Sequence, residues 1–494
     1  MGATVLPTVA AVGAVVPYLL AAGLSFVAGR RGAQVIVVAA SVAALISAVV
    51  LLWIIGTAGP VTVSLGGWAA PLGIQWRADG LSGVMLLVAS AVGLAVAVHG
   101  GRYFHAEGEP VLTGRFQPLL MFLLAALNAL FLSGDMFNLY VTLELSGLAS
   151  IALVALEGRA RVMQAALRYL FVTLASATAF LMGVALLYGT VGVLDLRMAS
   201  ERLSHDPAVG LAMTLMIVGL MGKSALFPLH GWLPPAHGSA PPPASALLSG
   251  LVVKSSFYVL LRLWIEVFGP LDPGEVLRQS LGVLGAGAII WGGVQALRQR
   301  RLKLILAYST VAQLGYLLLA LPLLGGQEPW RSMAFGGVGV LMASHALAKS
   351  AMFLSAGLVV ASVGHDRLPA VRDAVHVRPM TVFTFGAGGL TLAGLPPGGG
   401  FVGKWTLLQG SLGSGQWWWA LVLLAGSLLA MGYVLRILAP AMRRRDEVPE
   451  RRYKPTPKSL ELAALALALG SVALGLSGDW VGSVVQTALS GGAP

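Results

Sequence analysis

Apolar runs of about 20 residues recur from one end of this 494-residue chain to the other, and they decide what it can fold into. At 1.5 Å of rise per residue, such a run crosses the ~30 Å hydrocarbon core of a bilayer as an α-helix. No water is present there to bond a bare peptide group, so each run must satisfy its own backbone by forming a helix. Transmembrane strands, at roughly 10 residues each, are too short to account for the runs. A water-soluble globule is excluded as well, since it needs roughly 25% charged residues, and this chain has 11% charged against 57% hydrophobic.

The runs predict an all-α polytopic membrane protein of fourteen helices, in one continuous bundle over residues 1–494. They lie near residues 4–28, 34–56, 80–99, 116–133, 136–156, 165–190, 209–227, 243–268, 280–297, 303–322, 333–361, 380–411, 417–440 and 459–488. No basic stretch precedes the first apolar run, so that helix is expected to be retained and not cleaved as a signal peptide.

The net charge of +12 would suggest nucleic acid in a soluble protein. Here the basic residues stand in short connections between apolar runs and form no interleaved patch, so they read as topology signals and no nucleic acid partner is expected. On alternate connections, twenty Lys and Arg fall on one side of the membrane and five on the other. The positive-inside rule puts the twenty in the cytoplasm and both termini outside. The largest basic stretch, residues 443–458, reads as a solvated cytoplasmic loop. With no cysteine, the chain can form no disulfide, thiolate nucleophile or iron-sulfur site of its own. No cofactor is expected, and any electron carrier belongs to another subunit.

Lysine placement carries the functional signal. Four of the seven lysines, Lys223, Lys254, Lys349 and Lys404, fall inside predicted spans, whereas most arginines collect in the connections. Arginine stays charged at any physiological pH, but a lysine can exchange protons once its surroundings bring it into the titrating range. A single lysine near a helix end can simply snorkel to the interface. Four embedded lysines, two of them beside backbone breaks, favour a proton path.

The first break lies in residues 219–262, GLMGKSALFPLHGWLPPAHGSAPPPASALLSGLVVKSSFYVLLR, where Lys223 and Lys254 flank a Pro/Gly/His-rich connector. Irregular backbone survives at membrane depth only where protein or a water-filled cavity covers it. MGKSALF at 221–227 is echoed by VGKWTLL at 402–408, beside a second break, GLPPGGG at 394–400. Two interrupted spans point to a repeat-built transporter.

Glu144 is the one carboxylate near the middle of a predicted span, and it reads as a counter-charge for Lys223 or as a fixed packing pair. His345 and Lys349 are four residues apart, hence on one helical face, and form a possible relay step. His230 and His237 flank WLPPA in the connector and read equally as a proton-uptake point or as capping hydrogen bonds. They lack a third ligand at zinc spacing, so no metal is expected. Asp79 and Asp135 sit at helix starts as caps, Lys303 reads as a topology charge, and Arg168 is either a partner for Glu144 or a cytoplasmic anchor.

DMFNLYVTLEL, GKSALFPLHGWLPPAH followed by SALLSGLVVKSSFY, LKLILAYSTVAQLGY, HALAKSAMFLSAG and GLPPGGGFVGK occur in that order between residues 79 and 404. Together they resemble the proton-conducting antiporter-like subunits shared by respiratory complex I, membrane-bound hydrogenases and Mrp-type cation/proton antiporters. LGGWAAPLGI ahead of ADGLSG looks most like the D-type subunits of the Mrp Na+/H+ antiporters.

The resemblance implies three N-terminal helices in 1–100, two inverted five-helix repeats over 116–268 and 280–440, breaks in the seventh and twelfth helices, and a last helix at 459–488. It assigns Glu144 and Lys223 to an ion pair, Lys254 to a central position, His345 and Lys349 to a second-half relay, and Lys404 to the exit side, as the repeat equivalent of Lys223. Pro235, Gly238 and Ser239 depart from the pattern, standing where relatives often carry acids.

The implied function is a proton-translocating subunit of a multi-subunit Na+/H+ antiporter in a bacterial-type inner membrane, a secondary transporter subunit and not an enzyme in its own right. Its partners would be other membrane subunits, lipid, protons and Na+. The alternatives are the same module in a complex I-like or hydrogenase assembly, and a non-conducting scaffold.

Overall fold

A computed structural model describes residues 2–106, 108–372, 374–442 and 457–490. Among these residues, twelve helices are long and apolar enough to cross a membrane, and two shorter apolar helices, Pro207–Lys223 and Pro379–Ala393, stand at the seventh and twelfth positions of the expected fourteen. Most of the basic stretch expected as a cytoplasmic loop, residues 443–456, lies outside the described residues.

The departures from the predicted spans have local causes. The first run, 4–28, is two helices, Gly2–Gly13 and Val16–Val27. Pro17 lacks an amide hydrogen and its ring crowds the carbonyl four residues back, so the helix breaks at 14–15. The run at 380–411 is also two helices, Pro379–Ala393 and Gly399–Gly413. Gly394 ends the first of them at φ 76°, in the left-handed region where glycine carries no Cβ penalty, and Pro396 and Pro397 follow. The last run, 459–488, is interrupted at Ser477 between Lys458–Leu476 and Gly478–Ser490. Just before that interruption Gly475 presses on the twelfth-span break, where a Cβ would lie 1.9 Å from the Pro397 carbonyl oxygen.

One element was not expected. Val61–Ser64 pairs antiparallel with Gln75–Ala78, from Val61 opposite Ala78 to Ser64 opposite Gln75. This hairpin stands between the second and third spans and delivers Arg77 and Asp79 to the end of the eighth.

Packing puts the lysine-bearing helices inside. Pro242–Phe268 is wholly buried, and Leu302–Leu324 and Trp330–Val363 nearly so, whereas Ala160–Val191 and Trp417–Ala441 show broad faces outward. Trp330–Val363 is the hub, lying against Gly80–Ala106, Pro379–Ala393, Gly399–Gly413 and both C-terminal helices. Small residues allow the closest approaches, as expected where van der Waals packing drives helix association. A Cβ on Gly219 would lie 2.5 Å from the Ser176 carbonyl oxygen, so Pro207–Lys223 rests directly on Ala160–Val191.

Candidate functional site

The seventh span stops at Lys223. At 17 residues, Pro207–Lys223 extends only about 25 Å and cannot cross the bilayer unaided. Ala225 turns to φ 51°, and the chain re-forms as a 3-10 turn, Leu229–Trp232, and a short helix, Leu233–Ser239. The break frees helix-end carbonyls that water would otherwise satisfy. The Trp232 indole donates to the Gly222 carbonyl at 2.9 Å, and the Ala225 amide donates to the same oxygen at 3.2 Å. The indole is held by parallel stacking on Tyr169, with ring centroids 4.1 Å apart, and the Tyr169 hydroxyl is 2.6 Å from that of Ser150. The break is therefore clamped in place.

This geometry aims Lys223 at helix Met136–Val154, where its ammonium donates to the Glu144 carboxylate and, at 3.4 Å, to the Leu143 carbonyl. Lys223 is buried and the Glu144 side chain is 22% exposed, so the pair has an apolar inner side and an accessible outer one. Arg168 is not its partner. It stands outward on Ala160–Val191 beside a separate cavity, in keeping with the anchor reading.

The other three lysines have neutral partners. Lys254 follows a π-helical segment, Leu248–Val252, and donates to the Ser249 carbonyl at 2.5 Å. Such bulges recur at functional sites, because they release backbone carbonyls from the i to i−4 ladder. Lys349 donates to the Leu306 carbonyl at 2.8 Å and to the Ser309 hydroxyl. Lys404 donates to the Leu392 carbonyl at 2.8 Å and to Ser427 at 3.4 Å, with its ammonium 4.2 Å above the Tyr316 ring. All three are buried, and no carboxylate contacts them among the described residues.

His345 lies within electrostatic reach of Lys254, Lys349 and Lys404, and its Nε2 has no hydrogen-bond partner among the described residues. The structure thus gathers Lys254, His345, Lys349 and Lys404 into one buried group, with Glu144 and Lys223 as a separate pair. The two connector histidines part company. His237 is fully enclosed, stacked on Phe353 at 4.7 Å and within reach of Lys349, Lys303 and Lys254. His230 is half-buried and stacked on Phe227 at 5.4 Å.

Two sequence readings need correction. Lys303 is not a loose topology charge, for it is buried and donates to the Ala240 carbonyl at 2.7 Å, tying the tenth span to the connector. The Gly-Lys echo does not mark equivalent places relative to the breaks. Lys223 is the last residue before one break, while Lys404 lies within the helix that follows the other.

Asp135 is the cap it was expected to be, accepting from the Asn138 amide at 2.7 Å. Asp79 does more than cap. It accepts from the Ser82 amide at 3.1 Å and takes both ends of the Arg262 guanidinium, one of them at 2.7 Å. Arg262 also donates to Glu266 at 2.5 Å and to the Tyr258 hydroxyl at 2.9 Å, and Arg77 reaches Glu266 at 3.3 Å. Burial acts to raise the Asp79 carboxyl, but the facing Arg262 overrides it and holds it below the ordinary carboxylate range. This network closes the end of the Lys254 helix against the hairpin. No sequence signal pairs positions 79 and 262; the usable clue was an arginine eight residues beyond Lys254, two helical turns along the same span.

Among the described residues, no group of three or more His, Asp or Glu is placed to hold a metal ion.

Comparison with known proteins gives concordant matches. A family model described as NADH:quinone oxidoreductase/Mrp antiporter, TM, matches residues 133–430. The NADH-quinone oxidoreductase subunit N of Desulforudis audaxviator is 36% identical over 470 residues, covering 92% of this chain and 92% of that protein. The D-type subunit of the Na(+)/H(+) antiporter of Bacillus subtilis is 29% identical over 455 residues, covering 91% and 90%. A chain in the solved Mrp complex from Dietzia superposes with a TM-score of 0.86 at 27% identity, over 98% of this chain and 97% of that one.

Proposed function

The chain belongs to the NADH:quinone oxidoreductase/Mrp antiporter membrane family, and from that membership we propose that it is the proton-translocating membrane subunit of a multi-subunit Mrp-type Na+/H+ antiporter. One observation carries this reading: Lys254, Lys349 and Lys404 are buried beside carbonyls, hydroxyls and an aromatic ring, with no carboxylate in contact among the described residues. A buried ammonium without a counter-charge is costly and serves poorly as a structural tie. The cost is understandable where the group must give up and regain a proton.

On this reading Glu144 and Lys223 form the switchable pair. Opening of the pair releases a proton toward Lys254, His345 and Lys349 pass it on, and Lys404 discharges it, with water bridging neighbouring groups. His230 and the enclosed His237 form the uptake side near Lys303. Residues 116–268 and 280–440 are read as two inverted repeats, and the charge count on the connections puts both termini outside. Other membrane subunits are the partners, and Na+ passes through one of them.

A specific observation favours a second reading. The 36% identity to a complex I subunit N points to the same module in a redox-driven assembly. Flavin, nickel or iron-sulfur groups in the co-purifying subunits would identify that assembly.

The test is Lys223→Ala in the assembled complex, reconstituted in vesicles. The variant is expected to assemble and to lose pH-gradient-driven exchange, and undiminished exchange would sink the relay.

A further inference from the structure

A cavity of about 370 Å³ opens beside the connector, lined by Arg161, Gln164, Arg168, Gln299, Arg301 and Tyr308. Three guanidiniums border one cavity, and of these only Arg301 has a carboxylate in contact among the described residues. Arg301 is matched by Asp366 at 2.9 Å, and Glu157, close in sequence to Arg161, stands beside Arg159 at 3.7 Å. Arg161 and Arg168 are exposed, and neither has an ion pair or hydrogen bond among the described residues.

Placement narrows the anion. Arg161, Gln164 and Arg168 fall at i, i+3 and i+7 of helix Ala160–Val191 and so share the face that borders the cavity. Arg161 is one residue into the helix, and Arg168 lies about 10 Å further along its axis. An interval of that length matches the depth from the headgroup layer to the edge of the hydrocarbon. Deeper on the adjoining face, Leu167, Phe171 and Leu174 are 44%, 66% and 51% exposed, an apolar stripe leading inward from the charges.

We propose that this cavity binds the phosphate headgroup of an anionic phospholipid, with its acyl chain along the Leu167, Phe171 and Leu174 stripe. Guanidiniums take phosphate through paired N–H donors, which suits two or three arginines around one tetrahedral anion. Basic pockets between membrane helices are recognised sites for such headgroups. An acidic side chain of a neighbouring subunit would satisfy one arginine, whereas a phosphate can accept from Arg161 and Arg168 together. The inference does not depend on the proton path.

The test is native mass spectrometry of the full chain, purified in mild detergent and incubated with equal amounts of phosphatidylglycerol and phosphatidylcholine. One phosphatidylglycerol should be retained in preference to phosphatidylcholine, and R161Q/R168Q should lower its retention by about thirty-fold, from roughly one surface charge contribution per arginine. R197Q, at a surface arginine paired with Glu201, should retain it fully. If the double variant does not fold, R168Q alone should still lower retention measurably. Equal retention by R161Q/R168Q, or by the two lipids, would overturn the proposal. Displacement of the lipid by millimolar inorganic phosphate would reassign the site to free phosphate, and cross-linking of position 168 to an acidic segment of a neighbouring subunit in lipid-free complex would reassign it to protein.

Discussion

Replacing Lys254 by methionine separates a proton carrier from a scaffold, because the two roles predict opposite effects on stability. The ammonium is fully enclosed, and among the described residues its hydrogen bond runs to the Ser249 carbonyl at 2.5 Å. Removing it forfeits a charge-assisted bond of roughly 1.5 to 3 kcal/mol. It also removes a buried ion whose effective desolvation is several kcal/mol and which no carboxylate offsets. Methionine fills nearly the same volume and adapts to irregular space, so little is lost in packing. The balance predicts stability that is unchanged or raised by up to ~3 kcal/mol, with exchange abolished.

Lys223→Met provides the contrast, since it strands the Glu144 carboxylate. That carboxylate lies near the middle of a membrane span, so stranding it should cost the ~3 to 5 kcal/mol of a broken buried pair. Lys254→Arg, which keeps the charge but cannot release a proton, should be inactive as well. The measurements are thermal or denaturant unfolding in detergent and pH-gradient-driven exchange by the reconstituted complex. A Lys254→Met protein that is less stable by more than ~1 kcal/mol, or that still transports, would refute the reasoning and favour the scaffold.

Two further outcomes are expected. Glu144→Gln should displace the pH profile of exchange by about one unit or more, as the Lys223 ammonium loses the carboxylate that contacts it; an unmoved profile in vesicles removes the pair from the mechanism. Asp79→Asn should destabilise the fold by about 2 to 4 kcal/mol, the cost of leaving Arg262 with only Glu266 as counter-charge. Because the folded Asp79 carboxyl is held below its unfolded value, this contribution is present above about pH 4 and lost as pH falls through the lower folded value. The difference between wild type and Asp79→Asn should therefore shrink in strong acid, and a constant difference would show that the charge of Asp79 is not what stabilises.

The parts of this molecule that were legible in the sequence are those where one residue type is out of place in its neighbourhood. A lysine in an apolar run is visible without knowing its partner, and Lys223, Lys254, Lys349 and Lys404 were found in that way. The break at 394–398 announced itself as Gly and Pro in succession. The interruption at Ser477 did not, and the contact beside it, Gly475 against the Pro397 carbonyl, joins positions some eighty residues apart that no sequence pattern links. The neutral partners Ser309 and Tyr316 were likewise invisible, for serines and tyrosines are unremarkable in an apolar helix until the fold sets one beside an ammonium, and the Ser249 carbonyl that meets Lys254 is a backbone group that no side chain marks. Arg262 and Asp79 show the same limit from the charged side: each looked like a local feature, and only the tertiary structure joins them.

The contrast between the two break-adjacent lysines bears on how membrane voltage acts. A proton passed from Lys223 to Glu144 rearranges charge within the pair and leaves the pair's total unchanged. Lys404 faces a ring, a carbonyl and a hydroxyl, none of which accepts a proton near neutral pH, so a proton released there would change the charge of its surroundings by one. Movement of one charge across a full membrane potential amounts to about 2.3 kcal/mol per 100 mV. On the proposed path, the exchange inside the first pair would be almost electroneutral, whereas handing its proton on to Lys254 and releasing one from Lys404 would each move a charge on which the potential acts, so the electrical work falls on those two steps.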